Sequence, residues 1–170
     1  MPELNFTVEG ADTLRFAAVP TLVLRLRITD NDAGQQIQNV LLTCQIQIEA
    51  NRRRYNRAEQ ARLEDLFGEP SRWSRTLRPL HWTYANVMVP PFEGSIDVDL
   101  LVPCSFDFNV ASTKYFHGLQ EGELPLNLLF SGDHFVINAC FDLKPECSNN
   151  PIAGVIDQHG ENARLPVKSD

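Results

Sequence analysis

The sequence lacks any run of apolar residues long enough to cross a membrane. Nowhere do about 18 apolar residues follow one another, and residues 1–10 carry neither the basic region nor the apolar region of a secretory signal. Cysteine is scarce too, with four in 170 residues, far from the density of a disulfide-stabilised secreted domain. Together these features predict a cytoplasmic protein.

Common motifs of catalytic and nucleotide-binding sites are also missing. There is no G-x-S-x-G elbow, no G-x-x-x-x-G-K loop, no H-E-x-x-H helix and no G-x-G-x-x-G turn after a strand. The histidines are widely spaced, at positions 81, 117, 134 and 159. We therefore predict no catalytic residues, no metal and no cofactor. An enzyme of unfamiliar type, with a pocket that gathers ionisable side chains, remains an alternative.

The cysteines fall into two pairs with different settings. Cys44 and Cys104 lie within alternating apolar segments, where a thiol behaves as a small apolar group, and we predict a structural role for both. Cys140 and Cys147 lie in a polar stretch without the C-x-x-C spacing of structural zinc sites. For Cys140 and Cys147, a disulfide and a partial metal site are the two alternatives.

What the sequence has in abundance is alternation of apolar and polar residues, the period of a half-buried strand. Clear runs cover residues 22–28, 40–48, 80–89, 96–102 and 124–130, and further ones cover 4–8, 106–110 and 135–137. The turn-forming residues 30–34 predict an antiparallel hairpin between the runs at 22–28 and 40–48. The whole pattern predicts a mostly β protein, an antiparallel β-sandwich of the immunoglobulin-like or a related type. The predicted inward-facing residues are Leu24, Leu26, Leu42, Ile46, Val98, Leu100, Phe106, Phe108 and Leu128.

One segment has the pattern of a short helix. Asn56 can cap it, Glu59 three residues later can complete a capping box, and Gly68 can end it. We predict this helix at about residues 56–67, inserted in a sandwich domain that covers residues 1–140. Residues 141–170 are interrupted by proline, glycine and polar residues, and we predict an irregular C-terminal tail.

The net charge of −7 hides a basic segment. Eight of the twelve arginines lie between positions 52 and 78, and four acidic residues in that span leave it at +4. Arginine binds phosphates and carboxylates bidentately and stacks on aromatic rings such as those of Tyr55 and Trp73. The candidate residues for binding a partner or an anion are Arg52, Arg53, Arg54, Arg72, Trp73 and Arg75.

A structural role for the same arginines is the alternative. They could pair with the chain's own acidic residues and pack their stems over the helix connection. We favour this interpretation over a site for an anionic partner, whether nucleic acid or an acidic protein surface, because an acidic protein gains little nonspecific attraction for nucleic acid.

Several segments together resemble an uncharacterised bacterial family. They are LFGEPSRW at 66–73, TLRP at 76–79 with Trp82 after it, RRRY at 52–55 and LFSG at 129–132. The resemblance covers roughly residues 2–135. From about residue 136 the sequence departs from the family's pattern. This departure predicts that the final strands of the sandwich are missing. The resemblance implies a loose association with gene neighbourhoods of nickel–iron hydrogenases, and so an accessory or assembly role. It supplies no catalytic residues.

Two functional hypotheses follow. The first is a noncatalytic accessory or protein-interaction domain whose partner is a hydrogenase subunit or maturation factor. The second is an anion- or nucleic-acid-binding module that uses the basic segment 52–78, with nucleic acid the less favoured ligand. Neither hypothesis involves a membrane or predicts an oligomeric state.

Overall fold

A computed structural model describes residues 3–14, 16–32, 34, 36–104, 110–120, 122–132 and 135–143. In these residues seven strands form two antiparallel sheets. The strands are β1 Leu4–Thr13, β2 Thr21–Asp30, β3 Val40–Ile48, β4 Leu80–Val89, β5 Ser95–Pro103, β6 Leu124–Gly132 and β7 Phe135–Leu143. Three α-helices accompany them in the same residues: α1 Arg57–Phe67, α2 Trp73–Thr76 and α3 Val110–Gly118. Two short 3-10 turns, Ala50–Arg52 and Pro70–Arg72, precede α1 and α2. None of the described helices is long and apolar enough to span a bilayer.

The two sheets pack face to face as a sandwich. One has the strand order β1-β2-β5 and the other has the order β4-β3-β6-β7. The predicted antiparallel β-sandwich is therefore confirmed. On β2 the alternating residues Leu22, Leu24, Leu26 and Ile28 are at most 1% exposed, so one face of each strand supplies the core. Phe6 of β1 stacks on Phe130 of β6 with ring centroids 4.8 Å apart, which joins the two sheets through their apolar faces.

The predicted hairpin between the second and third strands is wrong. β2 pairs with β1 and β5, whereas β3 pairs with β4 and β6, so the connection after Asp30 crosses from one sheet to the other. Ile37 in that connection forms an isolated bridge with Phe92, and both side chains are buried. Alternation identifies the buried face of a strand but not its neighbour, and the connection is longer than a hairpin turn needs.

The predicted capping box of α1 is confirmed. Asn56 Oδ1 accepts a hydrogen bond from the Glu59 amide at 2.8 Å, and Glu59 Oε2 accepts one from the Asn56 amide at 3.1 Å. The helix ends at Gly68, whose φ of 77° lies in the region that favours glycine. Thus α1 begins and ends where its sequence signals predict, between β3 and β4.

A further helix begins at the last residue of the run at 106–110, whose other residues lie outside the described ones. Val110 starts α3, and Tyr115 and Phe116 of this helix are buried. Phe106 and Phe108, two of the predicted core residues, lie outside the described residues. Of the other predicted core residues, Val98 is half-buried and the rest are buried.

The last described strand continues beyond the predicted domain boundary at residue 140. β7 pairs with β6 from Phe135 to Leu143, so strand pairing extends beyond the predicted strand at 135–137. The predicted tail from residue 144 onward lies outside the described residues.

Candidate functional site

The start of the basic segment is organised around a buried ion pair. Arg53 Nη2 lies 2.6 Å from Glu59 Oε1, and the two side chains are 7% and 3% exposed. Glu59 Oε1 also accepts the backbone N–H of Gln120 at 2.9 Å, in the connection from α3 to β6. Because the same carboxylate closes the capping box, it ties α1 to the residues before it and to the end of α3.

An aromatic cluster lies beside this pair. The Arg53 guanidinium is 5.4 Å from the centroid of the Tyr55 ring, a cation–π arrangement. Tyr55 Oη donates to the carbonyl of Ala50 at 2.6 Å and lies 2.7 Å from Tyr115 Oη. Since the Tyr55 proton is committed to Ala50, the Tyr115 hydroxyl is the donor between the two tyrosines. Burial raises the pKa of Tyr55 to about 12 and raises the pKa of Tyr115 further.

Trp73 belongs to the same cluster and is not a surface platform. Its side chain is buried, its ring meets Tyr55 edge-on at 5.2 Å, and its Nε1 donates to the carbonyl of Gly68 at 2.7 Å. It therefore packs the short helix α2 against the end of α1. Its position on a polar segment gave no sign of this burial, because the contact depends on Tyr55 and Gly68 folding back onto it.

The remaining candidate arginines lie outside. Arg52, Arg54, Arg72 and Arg75 are exposed. In the part of the chain that the structure describes, none of the four has an acidic side chain within ion-pair distance. Of the six candidate residues, Arg53 and Trp73 are thus buried and the four others face solvent.

Three of the six line a common cleft of about 660 Å³, which we call the arginine cleft. The connection from β3 to α1 contributes Arg52, Arg53, Arg54, Tyr55 and Asn56, and α1 contributes Glu59. The remaining lining residues are Gly122 and Glu123 in the connection before β6, Pro125 at the start of β6 and Asp142 at the end of β7. Arg72 and Arg75 are not part of this lining, so the candidate residues divide into two surfaces.

Charges of both signs line the arginine cleft. Arg53 is paired with Glu59. The exposed charged residues of the lining are the basic Arg52 and Arg54 and the acidic Glu123 and Asp142. Glu123 and Asp142 lie some 70 and 90 residues from the arginines, and no local pattern in the sequence indicates them, because the pairing of β3 with β6 and of β6 with β7 brings them to the cleft. Such a lining can hold a partner that carries complementary charges of both signs.

Other chemistry-bearing residues lie apart from the cleft. Cys44 and Cys104 are buried, as predicted, and burial raises the pKa of the Cys44 thiol to about 12 and that of the Cys104 thiol to about 11. His81 contacts Gln45 and the Tyr84 ring on the outer face of the four-stranded sheet. Within the described ranges, no three His, Cys, Asp or Glu side chains are grouped so that they could hold a metal ion. Cys147, His134 and His159 lie outside those ranges.

The fold and the cleft define a class of protein. It is an antiparallel β-sandwich with a capped helix inserted between two strands, and a cleft lined by charges of both signs lies beside the start of that helix. The chain belongs to a family of unknown function, DUF6084, whose model matches residues 1–147. The predicted membership of an uncharacterised family is confirmed, and the match continues past residue 136, where the resemblance was expected to end. No curated protein matches the sequence.

Proposed function

We propose that this protein is a noncatalytic accessory domain that binds another protein through the arginine cleft. The observation that carries the proposal is the exposure of Arg52 and Arg54 beside the buried Arg53–Glu59 pair. The buried pair fixes the backbone on which the two exposed guanidinium groups lie. Both line the same cleft, and neither is paired with an acidic side chain of the described residues. Arginine is enriched where proteins contact each other.

The mixed charge of the lining favours a protein over a nucleic acid. A nucleic acid presents phosphates along its whole length, so those near Asp142 would meet a carboxylate. The net charge of −7 opposes the approach of a polyanion as well. A protein segment can place acidic residues against Arg52 and Arg54 and a basic residue against Asp142, which gives complementarity in each half of the cleft.

The partner proposed for the first test is a subunit or maturation factor of a nickel–iron hydrogenase. Its support is the gene-neighbourhood association that the family resemblance implies, which concerns context and not the site. A cytoplasmic location is part of the same proposal. Cys44 and Cys104 are free, buried thiols, as is usual for proteins of a reducing compartment.

Affinity purification from the native host, with mass spectrometry of the retained proteins, tests this function. The sample is divided, and one half is treated with nuclease before washing. We expect the same protein partner in both halves, released as the salt concentration rises, because salt screens exposed ion pairs. A partner that disappears on nuclease treatment would instead support binding to nucleic acid.

The second candidate function, an anion- or nucleic-acid-binding module, is favoured by one observation. Seven arginines of the basic segment are exposed without an ion pair among the described residues: Arg52, Arg54, Arg57, Arg62, Arg72, Arg75 and Arg78. A steep decrease in RNA or DNA affinity with salt concentration would identify this function, since each phosphate contact releases bound counterions.

A further inference from the structure

A second concave surface lies between α1 and α3, and it is separate from the arginine cleft. This interhelical groove has a volume of about 430 Å³ and is lined by residues of those two helices only. The helices meet closely beneath it, because a Cβ atom on Gly118 would lie 2.5 Å from Leu63 Cδ2. The glycine therefore lets α3 approach α1 with no side chain between them at that point.

Cationic side chains from both helices converge on the groove. Arg62 of α1 and Lys114 of α3 line it, together with the imidazole of His117, and Asp65 is the one carboxylate among its lining residues in the described chain. No acidic side chain of the described residues lies within ion-pair distance of Arg62 or Lys114. Two cations that face a shared space repel each other, and a bound anion removes that repulsion.

The same groove has apolar walls. Leu66 of α1 is half-buried and Val110 of α3 is 71% exposed, and both line the groove. Burying the Val110 side chain under a ligand would be favourable, since apolar surface removed from water stabilises a complex by about 25 cal/mol per Å². Apolar walls with a few convergent polar groups, in a volume of several hundred Å³, are typical of small-molecule sites.

We propose that the interhelical groove binds a small organic carboxylate. The carboxylate accepts hydrogen bonds from Arg62 and Lys114, and the apolar body of the ligand covers Leu66 and Val110. Arg62 and Lys114 against Asp65 leave one net positive charge, which a monovalent carboxylate balances, whereas a phosphate dianion would leave an excess of negative charge. None of these residues lines the arginine cleft, so the inference stands independently of the proposed protein partner.

The test is a titration of the full chain with hexanoate in which the amide chemical shifts are monitored by two-dimensional NMR. We expect saturable shifts at residues 62–66 and 110–118. Hexanamide, which has the same apolar chain without the charge, and inorganic phosphate, which has charge without the chain, should each shift these amides weakly. Absence of saturable shifts with hexanoate, or equal shifts with hexanamide or phosphate, would overturn the assignment.

Variants locate the binding residues. Arg62→Gln and Lys114→Gln should each weaken hexanoate binding by about ten-fold, the value of one charge-assisted hydrogen bond. Arg57→Gln is the matched control, because Arg57 is an exposed arginine of the same helix that does not line the groove. Equal hexanoate affinity in the Arg62→Gln, Lys114→Gln and Arg57→Gln variants would also overturn the proposal, and the amide spectra show in the same experiment that each variant is folded.

Discussion

Arg53 and Glu59 form a buried ion pair, with 2.6 Å between Nη2 and Oε1. The other arginines of the basic segment 52–78 face water. This relationship separates two roles within one run of identical residues. Arg53 holds the segment to the fold, whereas its neighbours Arg52 and Arg54 face solvent, where we propose that they bind a partner. Pairing with the chain's own acids, the structural alternative for the basic segment, is thus seen at Arg53.

Removing the buried cation should destabilise the protein strongly. In Arg53→Met the buried Glu59 carboxylate loses its cationic partner, and breaking a buried ion pair in this way costs about 3 to 5 kcal/mol. The control is Arg54→Met, which removes an exposed arginine and should change the free energy of unfolding by no more than about 0.5 kcal/mol. Urea denaturation measures both, and a similar small change in the two variants would show that the ion pair contributes little.

The sequence predicted part of this site. Local signals were sufficient for the capping box, because Asn56 and Glu59 interact within one helical turn. They were not sufficient for the second role of Glu59, since Arg53 and the amide of Gln120 reach it only through tertiary folding. The burial of Trp73 was missed for the same physical reason.

The close approach of α1 and α3 should make Gly118 sensitive to substitution. Gly118→Ala forces a methyl group against Leu63 and should destabilise the protein by about 1 to 3 kcal/mol, the usual effect of overpacking. Gly10→Ala is the comparison, because there the added methyl meets the end of the flexible Arg25 side chain, which can move aside. Thermal unfolding of both variants checks this, and a Gly118→Ala protein as stable as Gly10→Ala would mean that the helices can separate without penalty.

Phe130 should be a main determinant of stability, since it is fully buried and stacks on Phe6 from the opposite sheet. We expect Phe130→Ala to lower the free energy of unfolding by about 3 to 5 kcal/mol. Phe16→Ala removes the same atoms from a fully exposed side chain and should be near neutral. Equal effects in denaturant titrations would contradict the described core.

The raised pKa of Tyr55 predicts how stability changes at high pH. Burial raises the pKa of Tyr55 to about 12 in the folded protein, above the value of about 10 in an unfolded chain. The neutral form is therefore favoured by folding, and this contribution is fully present below pH 10 and lost as the pH rises through about 12. Tyr84→Phe removes the exposed tyrosine and leaves the half-buried Tyr55 and the buried Tyr115. In this variant tyrosinate absorbance should increase only together with loss of near-ultraviolet circular dichroism. Tyrosinate formation near pH 10 with the dichroism intact would show that these hydroxyls reach solvent.

The fold was predictable where one strand or one helix carried its own pattern. The alternation of Leu22 to Ile28 identified β2 and its buried face, but it contained no information on whether β3 or β5 would be its neighbour. The start of α3 at Val110 was taken for the end of a strand, since a short apolar run is compatible with either structure until its packing partner is known.

The central claim is that the arginine cleft, and not basic charge in general, binds a protein partner. The measurement is capture of the partner from the native host by three proteins: the unaltered chain, Arg52→Glu/Arg54→Glu and Arg72→Glu/Arg75→Glu. Both double variants make the same charge change at exposed positions, and each should melt within a few degrees of the unaltered chain, because exposed charges contribute only about 0 to 1 kcal/mol each. We predict that Arg52→Glu/Arg54→Glu loses the partner while Arg72→Glu/Arg75→Glu retains it. Retention by a folded Arg52→Glu/Arg54→Glu protein, or equal loss in both variants, would contradict the account.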